Sequence, residues 1–231
     1  MLLPLMCVIC YAGVSANDKS VDAIRQRVEE MRQVDYEHQN QILTLGLQAA
    51  IDHAHSIFNI CEDDTWVGFD WNAYVMDVCG DEPSVNIGSI MVIDGNHANV
   101  AIRYVDQPCY DVPYTLNLLW EDGCWKIDDV YYPEQEEGWA TLRAQCHTFY
   151  DIMVHEYMTE SADDILDNML SMEPLEEYYT DPSTIYSNPK EVQLLIEQIN
   201  NGHELFKKNP GYTPSAGKRI TEMVNRIKRH L

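Results

Sequence analysis

The stretch that most constrains this chain is PYTLNLLWEDGCWKIDDVY, residues 113–131. Asp122-Gly123 stands between two runs of alternating apolar and polar residues. That dipeptide favours a two-residue type I′ turn, in which both central residues need positive φ. Such a turn pairs Trp120 with Trp125, Leu118 with Ile127, Leu116 with Asp129 and Tyr114 with Tyr131. One face of the hairpin is then apolar or aromatic, and Thr115, Asn117, Lys126 and Asp128 occupy the other. A slip of one residue would set Ile127 beside Asn117 and Lys126 beside Leu118, mixing the faces, so the first register is the expected one. It places Asp129 on the apolar face, among Leu116 and the two tyrosines.

The rest of the chain frames this hairpin. Residues 20–33 carry Val21, Ile24, Val28 and Met31 at helical spacing, and a second helical stretch runs from about Gln41 to Ile60. Short β-rich runs follow from Trp66: WNAYVMDV, NIGSIMVI, NVAIRYV, YTLNLLW and CWKIDDVYY. The breaks DGNH and DQPCYDVP carry turn chemistry. After Pro133 the pattern is helical. Asn188-Pro189-Lys190-Glu191 reads as a capping box, Thr213-Pro214 opens the last helix, and Ser161 with Asp164 opens another. The fold class expected is therefore α+β.

The runs ANVAIRYV and YTLNLLWEDGCWKIDDV resemble the terminal strands of the nuclear-transport-factor-2-like superfamily, and among its members the exported bacterial domains of unknown function. Glu121, Asp122, Gly123, Trp125 and Ile127 carry the likeness, which covers roughly residues 20–133. The resemblance implies a cone: N-terminal helices packed across a curved antiparallel sheet, with a cavity between them. The expected organisation is a cone-shaped α+β domain over 17–133 and a helical extension over 134–231.

Composition sets the partners. Hydrophobic residues make up 45% of the chain, enough for a true core. The formal net charge of −23 would repel nucleic acid and anionic membranes. Seven of the fifteen basic residues lie in 207–231 against a single acid, Glu222, so this end carries +6 and is expected to dock on the acidic remainder. Residues 1–16 hold no charge and end in Val-Ser-Ala. They read as a signal peptide cut before Asn17, although no basic residue precedes the apolar run. The mature protein is then exported, periplasmic or extracellular, with no integral membrane segment. Cys7 and Cys10 fall in the removed segment. Cys61, Cys79, Cys109, Cys124 and Cys146 have no metal-ligand spacing, and export would permit a disulfide among them.

No catalytic motif stands out. The implied cavity would be lined by Tyr114, Leu116, Leu118, Trp120, Trp125, Ile127, Asp129 and Tyr131, and these are the candidate ligand-binding residues. Asp129 beside Tyr114 and Tyr131 has the residue types of a general acid–base site, but a solvated strand end is the plainer reading. His147, Asp151 and His155 share a helix face that reads as a solvated stripe, not a metal site. No cofactor is expected. The chain reads as an exported, non-catalytic binding protein for a small apolar ligand or another protein. The alternatives are an enzyme using a cavity carboxylate, or an interaction or immunity-type protein working through its acidic surface.

Overall fold

The computed structural model describes residues 19–34, 36–60, 67–71, 84–105, 114–133 and 135–231. The leader 1–16, most of the run WNAYVMDV, the break DQPCYDVP and five of the cysteines (Cys7, Cys10, Cys61, Cys79 and Cys109) lie outside these residues.

The class is α+β. Four strands, β1 (Ser84–Val92), β2 (His97–Val105), β3 (Tyr114–Glu121) and β4 (Cys124–Tyr131), form an antiparallel sheet in the order β1-β2-β3-β4. Six α-helices accompany them among the described residues: α1 (Val21–Met31), α2 (Leu45–Ala54), α3 (Leu142–Thr159), α4 (Ala162–Ser171), α5 (Pro189–Phe206) and α6 (Pro214–Ile227). The chain divides into two compact units that interleave in sequence. One comprises Met1–Ala49 with Phe69–Ala144, the other Ala50–Gly68 with Gln145–Leu231. Ala50–Gly68 thus belongs with the C-terminal helices, and the stretch up to Ala144 belongs with the sheet.

In the sheet unit, the Ser20 hydroxyl accepts from the Ala23 N–H and starts α1. Ile24, Val28 and Met31 of this helix are completely buried. Arg25 donates to the carbonyls of Ile87 and Gly88 on β1, and Arg27 to that of Trp125 on β4. Helix α1 therefore lies across the sheet from its first strand to its last. Asp122 and Gly123 have φ of 55° and 81°, so the hairpin turn has the conformation its residues favour.

The second helix is shorter than its sequence pattern. Residues 41–44 are not α-helical, because the outer edge of β4 recruits them. The Thr44 N–H donates to the Ile127 carbonyl at 2.9 Å, and the Ile127 N–H to the Ile42 carbonyl at 2.8 Å. Those bonds cover an edge that would otherwise expose unpaired backbone groups. The Thr44 hydroxyl then caps α2 by accepting from the Leu47 N–H, and the helix ends at Ala54.

The helical unit is built around Tyr157, Ile165, Met169, Ile196, Ile199, Phe206, Ile220, Met223 and Ile227, all at most 2% exposed. The irregular segment 55–60 runs beside them and also buries Ile57, Phe58 and Ile60. Buried backbone polar groups must find partners, and here side chains of three helices supply them. Tyr157 donates to the Phe58 carbonyl, Asn168 to that of Ile60 and Gln198 to that of His55. Gly202 lets α5 approach α3: a Cβ there would sit 2.3 Å from the Tyr157 hydroxyl. Asn188 and Thr213 cap α5 and α6 through their side chains, as read from sequence. The Asn188 side-chain oxygen accepts from the Lys190 N–H and its backbone carbonyl from that of Glu191, while Ser161 makes no side-chain cap bond to α4.

Candidate functional site

The hairpin register agrees with the sequence reading near the turn and departs from it beyond. Trp120 faces Trp125 and Leu118 faces Ile127, but a shift then sets Asn117 opposite Asp129 and Leu116 opposite Val130. A β-bulge at Asp128 inserts one extra residue into β4. The expected pairs Leu116–Asp129 and Tyr114–Tyr131 are therefore incorrect, and so is the position of Asp129 on the apolar face. Val130 and Tyr132 take the buried places, at 0% and 3% exposure, while Tyr131 is 43% exposed and lies opposite Thr115. The physical reason is local. Two successive aspartates cannot both point to the polar side of a regular pleat, and the bulge keeps each of them out of the core.

Of the eight candidate lining residues, Tyr114, Leu116, Leu118, Trp125 and Ile127 are buried, none more than 2% exposed. Ile24, Val28 and Met31 of α1, in the same unit, are likewise buried. Trp120 is half-buried at the end of this row. Its ring meets that of Trp125 edge-on at 5.4 Å, and Lys19 sits over its face at 4.6 Å. The Tyr114 hydroxyl donates to the Trp71 carbonyl. The indole N–H of Trp125 is buried with no hydrogen-bond partner among the described residues.

The two aspartates form a cluster that the sequence reading missed. Asp128 Oδ1 accepts from Arg143 Nη2 at 2.6 Å and from the Thr44 hydroxyl at 2.9 Å, and Arg143 Nε reaches the Asp128 carbonyl. Gly46 leaves room for the guanidinium, since a Cβ at that position would lie 3.2 Å from it. Asp129 Oδ1 accepts from the N–H of Val130 and from that of Arg143, in the first turn of α3. Each carboxylate thus ties β4 to the start of a helix, Asp128 through the cap of α2 and Asp129 at α3. Burial pushes the Asp129 carboxyl above the usual carboxylate range, and the donors from Arg143, Val130 and Thr141 only partly offset this. A signal for the bulge was present: the apolar spacing Trp125, Ile127, Val130, Tyr132 changes phase after Ile127.

That shift has a testable sign. With a folded pKa above the unfolded value near ~3.9, Asp129 contributes stability that is fully present at low pH. The contribution is lost as pH rises through the raised folded value. Asp129→Asn keeps an acceptor oxygen, so the stability difference between variant and wild type should move in the variant's favour as pH rises from about 4 to 7. Parallel urea-denaturation stabilities across that range would mean that the carboxyl is not perturbed.

His147, Asp151 and His155 are exposed on α3, and among the described residues no group of His, Cys, Asp or Glu could hold a metal ion. No helix among the described residues is long and apolar enough to cross a membrane. The molecule is thus an α+β protein in which, among the described residues, one face of the sheet is buried and the two aspartates are engaged at helix starts. Comparison with protein-family models, with curated proteins and with solved structures returned no match for this chain.

Proposed function

We propose that this is an exported, non-catalytic binding protein whose ligand is another protein, met through its surface. The observation that carries this reading is the burial of the sheet face. Tyr114, Leu116, Leu118, Trp125 and Ile127, on the face where a small apolar ligand would have to lie, are each at most 2% exposed. Close-packed interiors of this kind serve stability before they serve binding. The formal charge of −23 favours a partner with a basic surface, for which it would also speed encounter. Membership of the nuclear-transport-factor-2-like superfamily and the signal peptide remain parts of the proposal, resting on the hairpin motif and on the uncharged leader.

An enzymatic reading would rest on Asp129. Its raised pKa suits a general base, but Oδ1 is occupied by two backbone donors, which suits a helix cap better. Chemical cross-linking and native mass spectrometry of the protein from its own host should recover a protein partner, in a complex that dissociates as salt is raised. A small apolar molecule retained at one per chain would overturn this reading in favour of an internal ligand.

A further inference from the structure

Tyr179 lies in the short 3-10 turn Glu176–Tyr179, between α4 and α5, and its ring stacks on that of His230 at 3.7 Å with an interplanar angle of 4°. The stack fixes the phenol, yet its hydroxyl is buried and has no hydrogen-bond partner among the described residues. Buried polar atoms without partners are uncommon, and a bound group is one way of satisfying them. The ring borders a cleft of about 80 Å³, which Glu173, Glu176, Arg226, Arg229 and His230 also line. That is room for one small group and no more.

The charges around the cleft are arranged unequally. Arg226 grips Glu173 in a two-pronged contact, Nε to Oε1 at 2.8 Å and Nη2 to Oε2 at 2.7 Å. This consumes the Glu173 carboxylate but leaves the Nη1 group of Arg226 able to donate. Arg229 forms no ion pair among the described residues, and the His230 ring also borders the cleft. Burial, with Glu173 and Tyr186 nearby, pushes the Tyr179 phenol upward, so it stays an O–H donor. Glu176 also lines the cleft and its carboxylate opposes an anion there, but it is exposed and only partly felt through water.

We propose that this cleft binds a compact oxyanion, the phosphate or carboxylate group of a ligand, between the Tyr179 hydroxyl and the side chains of Arg226, Arg229 and His230. Charge-assisted donors converging on one small space with a neutral O–H are the usual means of holding such a group. This anion site does not depend on the protein partner proposed above.

The test is thermal unfolding of the full chain against increasing sodium phosphate or sodium acetate, with sodium chloride holding ionic strength constant. A ligand of the native state raises the melting temperature with concentration and yields an apparent Kd. The rise should occur with phosphate, acetate or both, and should vanish in Arg229→Ala, whose exposed side chain leaves the core intact. Tyr179→Phe keeps the stacked ring and should weaken binding by about tenfold, the loss of one hydrogen bond. Glu176→Gln should tighten it. A response to phosphate alone would identify a phosphate site, and one to acetate alone a carboxylate site. If neither anion exceeds chloride, or if wild type and Arg229→Ala respond alike, the proposal fails, and the Tyr179 hydroxyl is satisfied by an ordered water only.

Discussion

Replacing Trp125 by alanine should cost about 3–5 kcal/mol of folding stability, among the largest losses available to a single substitution in the sheet unit. Its indole is 2% exposed, and truncation would leave a void that a buried, tightly packed region could only partly close. Trp120→Ala should cost less, roughly 1–3 kcal/mol, because that ring is half-buried, with the Lys19 ammonium over one face. Lys126 points to the opposite face and pairs with Glu121 and Asp122, both at 3.1 Å. Its replacement by alanine should cost about 1 kcal/mol or less. Urea denaturation of the three variants checks the order. Similar, small losses at all three would contradict the observed pairing of Trp120 with Trp125.

Removing residues 214–231 should have a still larger effect, abolishing the cooperative folding of the helical unit. Helix α6 buries Ile220, Met223 and Ile227 almost completely, and Val224 to 5%. Loss of each large apolar side chain alone is worth about 2–5 kcal/mol, which together exceeds the whole stability of many domains. The basic residues contribute little to this attachment. Lys207–Glu204 and Lys218–Glu222 are pairs within one helix, and Arg226–Glu173 joins α6 to the end of α4 at an exposed site. Such pairs are individually worth ~0–1 kcal/mol, so molar salt should change the unit's stability only slightly. Hydrogen exchange over α4 and α5 measures both effects. Unaltered protection in the truncated chain would show that α6 is an appendage.

The fold was legible where local chemistry and burial agree. Asp122-Gly123 specified the turn, Asn188-Pro189 and Thr213-Pro214 specified two helix starts, and the stripe from Ile220 to Ile227 specified a buried face. Charge was a poorer guide than apolar pattern: the basic end is attached by its stripe, with one ion pair, among the described residues, to an acid outside its own helix and turn. One error arose where a distant partner decides the local conformation. Residues 41–44 have helical composition, but the open edge of β4 offered hydrogen bonds that no nearby sequence announces. Asp129 was misplaced for a different, local reason. Alternation was extended through Asp128-Asp129 as though the strand were regular, although the apolar spacing Ile127, Val130, Tyr132 marks the change of phase. The Tyr179 cleft left no sequence signal, because it joins residues from two short turns and the last helix.

The interleaving of the two units bears on the order in which they can be completed during synthesis. Ala50–Gly68 emerges from the ribosome early, with its buried Ile57, Phe58 and Ile60, but the helices that cover these residues come last. At about 5–20 residues per second, that apolar segment waits on the order of ten seconds for α5 and α6. Through that interval the chain presents an uncovered hydrophobic stretch between two parts of the sheet unit. A chaperone that holds exposed apolar segments would shield this stretch until α5 and α6 have been made.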